Sequence, residues 1–139
     1  CHIGWYTIMA AKLDYQVMAI DGDLENLNLL KLNAGLHNVR DKIEVYHAWV
    51  DQNFKLDGSG DIELIKIDLE GNEQYAIEAV SHLLDRTSNL YVEISPVFNG
   101  SYSALIDDLT SQGFKAFYPN KKPFDGDLSL SQINLWFKK

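Results

Sequence analysis

Ile62-Glu63-Leu64-Ile65-Lys66-Ile67-Asp68-Leu69-Glu70-Gly71-Asn72-Glu73 runs from a branched apolar stretch into clustered carboxylates and a glycine. Ile62–Ile67 predicts a strand, because a brief run rich in branched residues packs well on a pleated surface. A helix is expected from about Asn72 to Leu84, with Ala76, Val80 and Leu83 at helical spacing. Gly71 lets the backbone turn sharply between them.

The same alternation extends in both directions. Upstream, Trp5–Lys12 reads as a short helix and Gln16–Ile20 as a buried strand ended by Asp21-Gly22-Asp23. Asp23 suits the N-cap of a helix from Leu24 to about Leu36, with Leu27, Leu30 and Ala34 on one face. Ile43–Ala48 is the next strand, and Asp51–Asp61 is a connection. Downstream, Asn89–Ile94 is a strand. Ser101–Gln112 is a helix with Tyr102, Leu105, Ile106 and Leu109 inward, closed by Gly113. Two last strands, Phe114–Tyr118 and Gln132–Phe137, flank a loop containing Pro119, Pro123 and Gly126.

Strand–helix alternation implies an α/β fold with a mostly parallel sheet and helices on both faces. The final pair lacks a helical crossover and is expected to form an antiparallel hairpin. The whole stretch 1–139 reads as a single domain.

Composition narrows the function classes. Twelve basic residues stand against 20 acidic ones, a formal charge of −8. Residues 1–70 carry −6 of it (six basic, twelve acidic) and residues 71–139 carry −2 (six basic, eight acidic). Binding nucleic acid needs clustered Lys and Arg. Only Lys121-Lys122 and Lys138-Lys139 are paired, so no nucleic-acid partner is expected. No apolar run approaches the ~20 residues of a membrane span. One cysteine, Cys1, excludes an intramolecular disulfide and fits a reducing, cytoplasmic setting.

In an open α/β sheet, ligands bind at the carboxyl ends of the strands. Asp21, His47-Ala48-Trp49, Asp68 with Glu70 and Glu73, and Glu93 occupy those ends. Asp21 lies seventeen residues after Gly4, where a carboxylate can grip the ribose hydroxyls of an adenosine cofactor. Its ordinary alternative is a turn or capping residue, a role that Asp23 already fills. Asp68 and Glu70 form a candidate carboxylate pair, suited to hold an ammonium group or a cation or to accept a proton. Glu73 has an ordinary explanation in the first turn of its helix, where the dipole favours negative charge. No His-x-x-His or Cys pair suggests a transition metal. Trp49 either stacks on an adenine or covers the sheet edge. His47 shares a strand face with Ile43 and Val45 and is expected to be semi-buried and hydrogen-bonded. His37 and His82 read as surface residues, and His2, in the glycine turn, is better placed for function. Glu93, ending a buried strand, needs a hydrogen-bonding or substrate-facing role.

Together these segments resemble the FkbM family of S-adenosylmethionine-dependent methyltransferases, which share the Rossmann-like class I fold. Cys1-His2-Ile3-Gly4-Trp5-Tyr6-Thr7 is similar to the tail of that family's first motif. Ala19-Ile20-Asp21, His47-Ala48-Trp49-Val50 and Ile65–Glu73 follow the next three, with Val92-Glu93-Ile94 and Gln112-Gly113-Phe114 completing the order. His2 stands where the family usually has Asn, and Cys1 where it has Ala. The resemblance enters inside the first motif, so the first strand and the start of that motif are expected to be missing and the chain to be a fragment.

The resemblance implies S-adenosylmethionine as cofactor, bound by His2, Gly4, Asp21, Ala48, Trp49 and Asp68. It implies Asp68, Glu70 and Glu73 as catalytic candidates and a hydroxyl on a sugar or small metabolite as acceptor. A non-catalytic methyltransferase-like module, with an exposed sheet edge that pairs two copies as a homodimer, is the alternative. A nicotinamide-dependent oxidoreductase shares the Asp21 logic but lacks a G-x-G-x-x-G turn.

Overall fold

The computed structural model describes residues 1–95, 102–129 and 132–139. They form two compact units, Cys1–Val50 and Asp51–Lys139.

In the first unit, α1 (Trp5–Lys12) precedes β1 (Val17–Asp21), α2 (Leu24–Leu36) and β2 (Ile43–His47), with a 3-10 turn at Arg40–Lys42. β1 and β2 pair in parallel, with Val17 opposite Ile43 and Asp21 opposite His47. The Asp23 carboxylate accepts the Glu25 amide at 2.8 Å, which satisfies one of the free amides at the start of α2. Ile8, Ala11, Ala19, Leu30, Ala34 and Val39 form the core, flanked by half-buried Val17, Ile43 and Val45. Small alanines on α1, β1 and α2 let these elements approach closely around Leu30.

The second unit contains β3 (Ile62–Ile67), α3 (Glu73–Ala79), a 3-10 segment Ser81–Arg86 and β4 (Thr87–Ile94). α4 (Ser103–Ser111), β5 (Lys115–Phe117) and β6 (Ile133–Lys138) follow. Its strand order is β3-β4-β6-β5. β3 and β4 are parallel, while β6 runs antiparallel to both β4 and β5. β6 therefore inserts between β4 and its own hairpin partner. Register aligns Leu90 with Phe137, Val92 with Leu135 and Ile94 with Ile133, and all six are buried. Complete burial of each such side chain contributes about 1.5–3 kcal/mol. The opposite face carries half-buried Asn89, Tyr91 and Glu93. There Trp136 donates its indole N–H to Asn89 Oδ1 at 3.0 Å and leans on Phe117, ring centres 5.8 Å apart.

The α/β class, the helices on 5–12 and 24–36 and the closing antiparallel hairpin match the sequence reading. The described strands lie in two sheets: β1 and β2 form a parallel one, and the four-stranded sheet joins one parallel ladder to the two antiparallel ladders of β6. The helix expected over 72–84 breaks at Val80, where the chain tightens into the 3-10 segment. That tighter winding carries Leu83 and Leu84, 1% and 0% exposed, into the core. Gly113 follows α4 with φ 93, as its place after the helix requires. Ser101 and Pro96 lie outside the described residues.

Candidate active site

Two groups of strand-end residues stand out, one in each unit. The first is built on a tight turn. Gly4 donates its amide to Cys1 O at 3.2 Å and starts α1 by presenting its carbonyl to Ile8 N at 2.8 Å. Its φ of 96 is left-handed, and a Cβ there would sit 2.1 Å from Leu30 Cδ1. Only glycine fits both the turn and the close approach of α2.

Asp21, ending β1, anchors that turn. Its Oδ2 accepts the His2 amide at 2.7 Å and the Cys1 amino group at 2.9 Å, and its Oδ1 accepts the Asp23 amide at 2.9 Å. Burial alone would raise its pKa. The bonds from the Cys1 amino group and from the Asp23 and His2 amides outweigh that and hold the carboxyl down at about 2. Asp21 is therefore ionised at neutral pH. A carboxylate offers about four acceptor positions. With three filled, Oδ1 retains room for one further donor.

β2 closes this group. Ala48 N donates to Asp21 O at 3.1 Å, and the His47 Nε2–H donates to Gly22 O across 3.1 Å. His47 is exposed rather than semi-buried, because the end of β2 projects past the core. The Trp49 indole lies directly on Gly22, where a Cβ would approach Cδ2, Cε2 and Cε3 to 2.7, 2.8 and 2.9 Å. The side chain is 75% exposed, so its outer face is open to a stacking partner. Gly22→Ala is expected to displace the indole and weaken binding of an adenine nucleoside about tenfold, the lower range of base–aromatic stacking. Adenosine titration by calorimetry measures it, and unchanged affinity removes Trp49 from the site.

The second group lies where β3 and β4 end side by side. Ile67 is paired with Val92, so the next residues, Asp68 and Glu93, are neighbours at the strand mouths. Their side-chain charges therefore act on one another. Glu93 is half-buried, and burial first, then the Asp68 charge, pushes its pKa up. The side-chain amides of Gln132 and Asn134 donate to Glu93 Oε1 and Oε2 respectively, the latter at 3.4 Å. Lys66 Nζ lies 2.6 Å from Asp68 Oδ2.

The pairing differs from the Asp68–Glu70 pair read from the sequence. Glu70 sits exposed in the turn, with φ 48, beyond the end of β3. Asp68 instead meets its counterpart on the neighbouring strand, because adjacent strands are only about 4.8 Å apart. Glu73 is fully buried. Both its oxygens accept the Gly71 amide, at 2.9 and 3.1 Å, and Oε2 also accepts the Tyr102 hydroxyl at 2.6 Å. A side chain 0% exposed in that position cannot meet a solvent-borne acceptor, so the structure speaks against Glu73 as the base. Sequence reasoning missed Lys66, Gln132, Asn134 and Tyr102. Only Lys66 had a signal, since alternation puts it on the Asp68 side of β3. His37 and His82 are exposed, as expected. Among the described residues no cluster of three or more His, Cys, Asp or Glu could hold a metal ion. Nor is any helix long and apolar enough to cross a membrane.

No family profile and no curated protein matches the sequence. Solved structures do match. A TehB-like SAM-dependent methyltransferase from Corynebacterium glutamicum aligns over 100% of this chain and 76% of its own, at 16% identity and TM-score 0.64. An rRNA methylase from Streptococcus thermophilus aligns over 99% and 81%, at 14% identity and TM-score 0.61. The human methyltransferase 10 domain containing protein aligns over 99% and 68%, at 17% and 0.61. The chain has an α/β fold that matches these Rossmann-like methyltransferase structures.

Proposed function

We propose that this chain is an S-adenosylmethionine-dependent methyltransferase domain of FkbM type, acting on a hydroxyl of a sugar or small metabolite in a reducing, cytoplasmic setting. The observation that carries the reading is the end-to-end match to methyltransferase structures, at TM-scores of 0.61 to 0.64. The residues present fit the cofactor. Asp21 keeps one acceptor position for a ribose hydroxyl, and Trp49, with Ala48 beside it, offers an open aromatic face to adenine. Gly4 and His2 shape the turn whose amides Asp21 gathers.

When bound, S-adenosylmethionine supplies an electrophilic methyl group on a sulfonium. The protein's share is alignment and proton removal. Asp68 and Glu93 are the groups that take the acceptor's hydroxyl proton. Glu93's raised pKa brings it nearer to neutrality, where a general base works best. Exposed Glu70 lies two residues after Asp68 and is suited to contact the acceptor rather than to act as the base.

Calorimetric titration with S-adenosylhomocysteine tests the reading. Micromolar binding supports it, and tighter binding of NAD would transfer the site to oxidoreductase chemistry. The rival reading, a non-catalytic module, draws on the three donors that already occupy Asp21. Absence of any heat with either ligand would favour it.

A further inference from the structure

We propose that the cleft between the 51–61 loop and α3 binds a small zwitterion, a free α-amino acid with an apolar side chain. The cleft belongs to the second unit and shares no residue with either group of strand-end side chains.

Its volume is about 450 Å³, within the usual range for small-molecule sites. Tyr75, Glu78, Ala79 and His82 line one wall. Spaced at i, i+3, i+4 and i+7, they share one side of α3 and of the 3-10 segment that continues it. Phe54, Lys55 and Asp57 line the other wall. Hydrogen bonds hold that loop at both ends. Asp51 accepts the Asn53 amide on Oδ1 at 2.7 Å and the Phe54 amide on its carbonyl at 3.0 Å. Arg86 donates from Nη1 to Gly60 O at 2.7 Å and from Nη2 to Gly58 O. A wall fixed before a ligand arrives loses little entropy on binding.

The lining selects the ligand. Ala79, small and buried, leaves room beside the Phe54 and Tyr75 rings for an apolar group. Both signs of charge flank those rings, cationic Lys55 and anionic Asp57 and Glu78. The two carboxylates repel a lone anion, and the ammonium repels a lone cation. A zwitterion meets a complementary group for each of its charges, its carboxylate at Lys55 and the His82 N–H, its ammonium at Asp57 and Glu78. Among the described residues, the side chains of Lys55, Asp57 and His82 have no hydrogen-bond or ion-pair partner. Glu78 accepts the Gln74 side-chain amide on Oε1 at 3.0 Å and keeps Oε2.

Amide NMR of the whole chain, titrated with L-phenylalanine, phenethylamine and phenylpropanoate, tests this. The first carries both charges, the second only the ammonium and the third only the carboxylate. L-Phenylalanine should shift the amides of residues 52–57 and 75–82. Each one-charge analogue should bind about tenfold more weakly or worse, as expected for one lost charge-assisted hydrogen bond. Lys55→Met and Glu78→Gln, both at exposed positions, should each weaken L-phenylalanine by a similar factor and leave S-adenosylhomocysteine binding unchanged. Wild-type protein that binds either analogue as tightly as L-phenylalanine overturns the proposal. So does L-phenylalanine that shifts no amide of the cleft, or undiminished affinity in both variants.

Discussion

Replacing Glu93 with Gln is expected to lower methyl transfer on the order of 10²–10⁴-fold, the usual contribution of a positioned general base. The substitution keeps the shape of the side chain and an acceptor for one of the two amides, Gln132 or Asn134, but removes the group that takes the proton. Asp68→Asn should act in the same direction and also release the Lys66 ammonium, 2.6 Å away. Because the two carboxyl groups are neighbours at the strand mouths, the losses should not add, and the double variant should be little worse than the poorer single one. The pH profile separates this from a packing defect. Wild-type kcat/KM should rise with pH through the raised Glu93 pKa as Glu93 loses its proton, and that rise should vanish in Glu93→Gln. S-adenosylhomocysteine release with a saccharide or small-alcohol acceptor measures both. A Glu93→Gln protein with wild-type turnover would remove the pair from the chemistry.

Asp21→Asn should weaken S-adenosylhomocysteine binding about ten- to a hundredfold, the range for losing a charge-assisted hydrogen bond. Part of that loss arises from the turn itself. Asp21 accepts from the His2 and Asp23 amides and the Cys1 amino group, and an Asn side chain would set two N–H donors among them. The same variant should be less stable than wild type, with a definite pH signature. The Asp21 pKa is depressed to about 2 in the folded protein, against an unfolded value of about 3.9. Its stabilisation is therefore complete above about pH 4 and is lost as pH falls through the folded value near 2. Urea melts of wild type and variant at pH 7, 4 and 2.5 should show a constant difference at the first two and a smaller one at the last. A difference that grows on acidification would contradict the assigned hydrogen bonds.

The turn after β3 shows how far a sequence can be read without coordinates. Branched residues at 62–67 fill a pleated, half-buried surface, so they announced a strand with correct ends. The Asp23 cap and the spacing of Leu27, Leu30 and Ala34 likewise announced α2, because capping and helical period are local properties. Local rules also placed Asp21, Asp68 and Glu93 at strand ends, where the fold class collects its ligands.

Partnership is not local. Whether Asp68 faces Glu70 or Glu93 depends on the register of β3 against β4, and whether Glu73 meets water depends on where Tyr102 returns 29 residues later. The helical period was likewise overruled at Val80, where the burial of Leu83 and Leu84 favours tighter winding. Sequence by itself determined which residues sit at the mouths of the strands. Tertiary structure alone decided which carboxylates stand side by side and which one is sealed inside, because hydrogen bonding and desolvation act between neighbours in space, however distant along the chain.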